Sequence, residues 1–316
     1  MQDIATEHLQ ADEAGIDRAA WHLRHGHLVA LPTETVYGLG ADATDDLAVA
    51  RIFGAKQRPR FNPLILHVPD LAAAQAVADL SGDALRLAEA FWPGPLTLLA
   101  PLREEAGVAP LVTAGHDRVA VRVPDLDLTR EVLRRAAVPV AAPSANISGK
   151  VSPTRAEHVL NGLSGRIEAV LDGGPCTVGV ESTIVGFDNG GPRLLRPGGL
   201  PAEALAECLG TAVHLGPDPE TPIAPGQMSS HYAPSARLRL GVTEPLPGET
   251  LLGFGPTEAE WTLSRSGDLT EAAARLFHVL REMDAAGIER IAVAPIPMTG
   301  LGLAINDRLS RAAAPR

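Results

Sequence analysis

The chain has 316 residues, enough for one large or two ordinary domains, and 45% hydrophobic residues with only 3% aromatic ones, so its core is mostly Ala, Val, Leu and Ile. A net charge of −11 argues against a general nucleic-acid coat and confines any anion site to a local cationic patch. Two cysteines, Cys176 and Cys208, give neither a disulfide framework nor zinc spacing, and with no signal peptide or long apolar run the sequence reads as cytoplasmic, with no membrane partner.

Residues 12–25 place Ile16, Ala19, Ala20 and Leu23 on one helical face, closed by Gly26. His22, His25 and His27 gather at its end, where a solvated helix terminus that favours cations explains them better than a metal. A strand is expected over 28–31. The run 32–40 then brings Thr33, Glu34, Thr35 and Tyr37 off a strand end, where α/β sheets bind ligands; ordinary turn chemistry is the alternative. Gly38 to Ala43 imitates a dinucleotide fingerprint, but a polar turn separates it from its strand and no acid follows at the required distance.

Residues 46–55 predict a short helix that delivers a cationic loop, Lys56, Arg58 and Arg60, with Pro59 and Pro63 forbidding a continuous helix. Only two of the 27 basic residues are lysine, Lys56 and Lys150, so Lys56 is a choice of a point charge over a planar fork. This loop reads as a phosphate holder feeding the buried strand 64–66, against the blander reading of a solvated basic loop. Helices follow at 70–79 and 83–91, then strands at 96–99 and 119–123. Arg122 stands within the last of these, where a charge needs a partner or an anionic ligand.

A strand near 138–143 runs into a small-residue turn, 144–152, whose N–H groups suit an anion as readily as they suit an exposed loop. Helix 153–163, a strand opened by Glu181, Ser182 and Thr183, strand 193–196 and helix 201–209 complete a first domain, 1–210. A proline-rich linker, 211–234, leads to a small α/β unit, 235–316, with strands near 237–242, 250–254 and 290–294 and helices at 270–286 and 302–313. Thr299 to Leu303 reads as a turn rather than a phosphate loop.

No Walker loop, Ser-His-Asp pattern or metalloprotease helix occurs. Strand-end hydroxyls, amides and cations suit phosphoryl or nucleotidyl transfer, where an enzyme mainly positions groups and neutralises charge. From the residues alone, the chain binds a nucleotide phosphate and a small polar molecule.

Six motifs carry a resemblance: Pro-Thr-Glu-Thr-Val-Tyr-Gly-Leu at 32–39, Lys-Gln-Arg-Pro at 56–59, Asn-Pro-Leu at 62–64, Pro-Ser-Ala-Asn at 143–146, Glu-Ser-Thr at 181–183 and His-Tyr-Ala-Pro at 231–234. In order and over nearly the whole chain, they resemble the long, two-domain form of the YrdC-like family. The resemblance implies an α/β fold, a twisted mixed sheet flanked by helices, plus a small Rossmann-like α/β C-terminal domain. It implies that L-threonine, bicarbonate and ATP, with Mg²⁺, give threonylcarbamoyl-adenylate and pyrophosphate. The product would pass to a transferase that modifies tRNA, with a weak tRNA contact as a further expectation. By resemblance Lys56, Arg58, Ser144 and Asn146 are catalytic. Lys56, Arg58, Asn62, Ser144, Ser152, Arg196 and Tyr232 hold ATP, while Thr35, His67, Arg122 and Ser182 hold threonine; no residue is assigned to metal.

Arg118 and Ala142 depart from the family pattern, where hydroxyl residues are common. The linker reads as a lid with Tyr232 over the nucleotide, or else as a tether with Tyr232 packed on the first domain. A non-catalytic RNA-binding protein of the same fold and a carbamoyl-phosphate-dependent carbamoyltransferase are the alternative classes.

Overall fold

The computed structural model describes residues 4–188, 191–216, 224–226 and 230–315, so Pro217, Pro219 and Pro222 of the expected linker lie outside the described residues. The strands of the first unit are β1 (Glu7–Leu9), β2 (Val29–Leu31), β3 (Gly38–Asp42), β4 (Ile65–His67), β5 (Leu96–Pro101), β6 (Arg118–Arg122), β7 (Val140–Ala141), β8 (Ala169–Leu171), β9 (Thr183–Asp188), β10 (Gly191–Arg196) and β11 (His214–Leu215). Its helices are α1 (Glu13–Arg24), α2 (Asp46–Lys56), α3 (Leu71–Val77), α4 (Gly82–Phe91), α5 (Pro110–Thr113), α6 (Asp127–Ala136), α7 (Ala156–Leu163) and α8 (Ala202–Leu209). The second unit holds β12 (Arg237–Arg239), β13 (Thr250–Gly253), β14 (Trp261–Thr262), α9 (Leu269–Ala285), β15 (Arg290–Val293) and α10 (Leu301–Ala313).

Among the described residues the first unit forms an 11-stranded mixed sheet in the order β1-β8-β2-β3-β7-β4-β6-β5-β9-β10-β11. The second forms a four-stranded sheet, β12-β15-β13-β14, all parallel, as a Rossmann-like unit requires. Local chemistry explains where the helices begin. Asp12 caps α1 by accepting from Gly15 N at 2.8 Å, and Asp268 caps α9 by accepting from the N–H groups of Thr270 and Glu271. Helix α9 buries Ala272, Ala273, Leu276, Phe277, Val279, Leu280 and Met283, the helical spacing of a core-facing stripe.

The structure adds to the sequence reading at three places. The glycine run that imitates a dinucleotide fingerprint is β3, paired antiparallel to β2 and β7 in mid-sheet, in keeping with the rejection of a dinucleotide loop there. Lys56 is the last residue of α2, so the cationic loop begins after it. Helix α6 is an additional element with a plain helical signature: Thr129, Val132, Leu133 and Ala136 share its buried face.

The two units share a core. The hydrophobic cluster around Phe277 and Leu276 also contains Val36, Val151 and Val180 from the first unit. No helix among the described residues is long and apolar enough to cross a membrane.

Candidate active site

Strand pairing assembles the cleft. Parallel β4 and β6 put His67 opposite Arg122, each the last residue of its strand, and parallel β5 and β9 bring Thr183 beside Leu96. The cleft so formed is lined by Thr33, Thr35, Arg58, His67, Arg122, Ser144, Glu181, Ser182, Arg196, His231 and Tyr232, among others. These come from the 32–39 run, the cationic loop, the sheet ends and the linker.

Arg122 is fixed on three sides. Its Nη2 donates to Glu34 Oε1 at 2.5 Å, Nη1 to Thr35 Oγ1 at 2.8 Å and Nε to Gly94 O at 3.3 Å. Thr33 and Thr35 hydroxyls lie 2.8 Å apart, and Thr33 also donates to Val36 O. Burial and the adjacent Arg122 push His67 down to about 3, so its ring is neutral at pH 7 and offers hydrogen bonds rather than charge.

On the opposite wall Arg196 donates to Ser182 O from Nε and Nη2, to Ser182 Oγ from Nη2 at 3.1 Å, and to Pro225 O from Nη1. Ser182 Oγ also lies 2.7 Å from Thr97 Oγ1. This contact depends on Gly198: a Cβ there would stand 2.4 Å from Glu181 O and from the Thr183 amide nitrogen, so any other residue pushes the 197–199 turn off the Ser182 backbone.

Arg58 donates to Asn62 O at 3.2 Å and to Pro63 O at 2.7 Å, and burial pushes its guanidinium down to about 10. Lys56 is 1% exposed and its Nζ donates to the carbonyls of Ser144 and Asn146. Burial, then Arg58, push its ammonium well below the usual range, while the two carbonyls oppose that loss of charge. Among the described residues the hydrogen bonds of Lys56, Arg58 and Arg196 go to carbonyls and a hydroxyl, while the Glu181 carboxylate acts on Arg196 without a direct hydrogen bond.

The expected site residues therefore divide. Thr35, Arg58, His67, Arg122, Ser144, Ser182, Arg196 and Tyr232 face one cleft. Lys56, Asn62, Asn146 and Ser152 stand behind it. Lys56 ties the 144–146 turn, and Asn62 is fully buried. Asn146 Nδ2 donates to Ile147 O and Lys150 O, and Ser152 Oγ donates to Glu181 Oε1 at 2.5 Å. Tyr37 of the 32–39 run turns the other way, its hydroxyl donating to Gly174 O. Of the two departures, Arg118 donates to Phe187 O away from the cleft, and Ala142 lines the cleft with its N–H on Ile65 O.

Tyr232 belongs to the second unit's core rather than to a tether on the first. Its ring stacks on Phe277 at 5.7 Å, meets His231 at 4.0 Å and carries the Arg308 guanidinium at 5.0 Å. Glu181, His231 and Arg308 are cleft or cleft-supporting groups that the sequence reading assigned no role. Glu181 has a local signal, standing directly before Ser182; Arg308 has none.

Glu181, which lines the cleft, and Glu34, which stands behind Arg122, are already held by arginines, Arg308 and Arg122. A divalent ion thus fits only as a companion of nucleotide phosphates, with phosphate and water oxygens as its ligands. In the His22, His25 and His27 group, His22 Nδ1 lies 2.9 Å from His27 Nδ1 and His22 Nε2 3.2 Å from Glu7 Oε1, while His25 stacks on Trp21.

A family model described as telomere recombination matches residues 22–198, and one described as threonylcarbamoyl-AMP synthase, C-terminal domain, matches residues 200–314. The chain is similar to the threonylcarbamoyl-AMP synthase of Bacillus subtilis (strain 168), with 41% identity covering 98% of this chain and 96% of that one. Its fold is similar to the crystal structure of P. abyssi Sua5 complexed with L-threonine, with a TM-score of 0.89, 39% identity and coverage of 98% and 97%. The likeness to E. coli YciO, 21% identical with a TM-score of 0.55, is one of fold alone. With both units matched in order and the cleft built from the motifs that define the first, the chain belongs to the threonylcarbamoyl-AMP synthase family.

Proposed function

We propose that the chain converts L-threonine, bicarbonate and MgATP to threonylcarbamoyl-AMP and pyrophosphate, for the threonylcarbamoyl modification of an adenosine in tRNA. The observation that carries this is the pair of buried arginines lining the cleft, Arg58 and Arg196, neither hydrogen-bonded to a carboxylate among the described residues. Buried charge without a counter-charge is costly, and a polyphosphate is the ligand that offsets it.

In this reading the threonine amine, carrying CO₂ as a carbamate, attacks the α-phosphorus through a carbamate oxygen. The bond from that phosphorus to the bridging oxygen breaks, and pyrophosphate leaves with the electron pair. Arg122 and Thr35, held rigid by Glu34 and Thr33, orient the amino acid. Neutral His67 contributes a hydrogen bond without competing for the carboxylate. Arg58, Arg196 and the Ser144 turn neutralise and align the phosphates, so that two anions meet at low electrostatic cost. The Mg²⁺ that accompanies ATP supplies further shielding of phosphate charge. The product then goes to a transferase acting on tRNA, and any direct tRNA contact of this acidic chain is weak and salt-sensitive.

The test is pyrophosphate release from ATP with threonine, bicarbonate and Mg²⁺ each omitted in turn. Release is expected only when all are present; equal release without threonine would overturn the reading.

A further inference from the structure

Arg308 lies on α10, in the second unit, yet it reaches the wall of the first unit's cleft. Its Nε donates to Glu181 Oε2 at 2.7 Å, and its Nη1 donates to Pro197 O at 2.9 Å and to Asp307 Oδ2 at 2.5 Å. Its guanidinium carbon stands 5.0 Å from the centre of the Tyr232 ring. It is 1% exposed, the largest fully buried side chain among the described residues, and its Nη2 finds no hydrogen-bond acceptor there.

The three groups it holds outside its own helix are neighbours of cleft residues. Glu181 precedes Ser182, Pro197 follows Arg196, and Tyr232 follows His231. Ser182 and Arg196 in turn bind each other. Glu181 presents one oxygen to Arg308 and the other to Ser152, whose backbone carbonyl is gripped by Arg281 of α9. Burial alone raises the Glu181 carboxyl, but Arg308 and then Arg196 outweigh it and hold the group below the usual carboxylate range.

We infer that Arg308 is a positioning residue of the cleft: through Glu181, Pro197 and Tyr232 it sets the spacing of Ser182, Arg196 and the linker, which makes the second unit part of the active site's framework. Arg308 does not line the cleft, so it acts through these groups and not on the substrate. This inference rests on the proposed synthase reading for its kinetic and threonine-binding readouts.

The test compares the parent chain with Arg308→Met, Arg308→Lys, Glu181→Gln and the double variant Arg308→Met/Glu181→Gln. The readouts are pyrophosphate release, L-threonine binding by calorimetry and the thermal unfolding midpoint. Arg308→Met is expected to lower kcat/KM at least tenfold and weaken threonine binding, at a temperature where the variant is folded. Arg308→Lys should recover part of the loss, and the double variant should be no worse than the worse single one, because both changes cut the same link. A folded Arg308→Met with kcat, KM and threonine affinity all within twofold of the parent would overturn the inference, as would additive losses in the double variant. If Arg308→Met does not fold, Glu181→Gln decides alone: it keeps the volume and the Ser152 contact but weakens the charge pair, and unchanged kinetics there would also overturn it. A parent chain that binds threonine but releases no pyrophosphate would instead count against the synthase reading, with the threonine affinities of the variants still deciding the role of Arg308.

Discussion

Arg122 and Glu34, 88 residues apart in sequence, form a buried ion pair with Nη2 2.5 Å from Oε1, and they are only 3% and 7% exposed. The sequence suggests an arginine waiting for an anionic ligand, but the structure gives it a permanent partner. The pair orients the guanidinium, and in the proposed reading its remaining N–H groups would meet the amino-acid carboxylate. Breaking a buried pair from one side leaves a charge uncompensated and costs about 3–5 kcal/mol. Glu34→Gln is therefore expected to lose about that much stability in urea denaturation and to bind threonine at least tenfold more weakly. Normal threonine affinity in the folded variant would show that Glu34 serves stability alone.

Lys56 invites a second test. Its ammonium is a staple between the end of α2 and the Ser144–Asn146 turn, not a finger in the cleft. Displacing that turn by even 1 Å should cost on the order of 100-fold in turnover. Lys56→Ala is expected to show this loss in the pyrophosphate assay. Lys56→Arg should fail as well, because a planar fork cannot fill a fully enclosed site shaped for one point donor. Full activity in the arginine variant would show that the enclosed site tolerates the larger fork and that Lys56 is not needed as a point donor.

The order and type of the longer elements were legible because each has a local cause. Helix α9 has an Asp cap and a core-facing stripe, and the 64–66 run is short, apolar and bounded by Pro63. Strand β3 was not legible: Gly38 and Gly40 mimic a loop, and only the neighbours show why small residues are needed, since a Cβ on Gly40 would stand 2.9 Å from Val140 Cγ1. Strands β1, β11 and β14 are two or three residues long and exist by pairing alone. Among site residues, the strand-end hydroxyls and arginines were readable from position. The partners Glu34 and Arg308 were not, because the contacts that define their roles span 88 and 127 residues.

Stability should fall in mild acid. Burial holds His67 and His158 at about 3, against about 6.5 in an unfolded chain. Between these values the unfolded state binds protons that the folded state refuses, so stability rises with pH. The contribution is complete above about pH 6.5 and is lost progressively toward pH 3. For His67 the loss at pH 5 is about 2 kcal/mol relative to pH 8. His158 adds less, with His278, Arg155 and Arg281 around it and Glu157 close by. Urea denaturation at pH 8 and pH 5 should show a difference of this size or larger, and His67→Gln should reduce it by about 2 kcal/mol. An unchanged pH dependence in that variant would mean that His67 titrates normally in the folded chain.

The last prediction concerns Tyr232, which both packs and covers. The ring is 1% exposed against Phe277, His231 and Arg308, yet it also lines the cleft. Its backbone is left-handed, with φ of 60°, which costs a non-glycine residue about 1–2 kcal/mol. Side-chain packing therefore holds it there, not local preference. Pro225, Gly226, His231 and Tyr232 form one wall of the cleft, where they would shut water away from a hydrolysable mixed anhydride. A chain ending at Gly210 does not isolate this effect, because it also strips Arg308 from Glu181 and uncovers Val36, Val151 and Val180. The separating variants are Tyr232→Phe and Tyr232→Ala. The phenylalanine should keep stability and most of the product's lifetime. The alanine should lose about 3 kcal/mol of stability and release the adenylate to hydrolysis several-fold faster, read by chromatography at a temperature where it remains folded. If the product survives as long with alanine as with tyrosine, the ring is packing alone and the cover belongs to another residue of the segment.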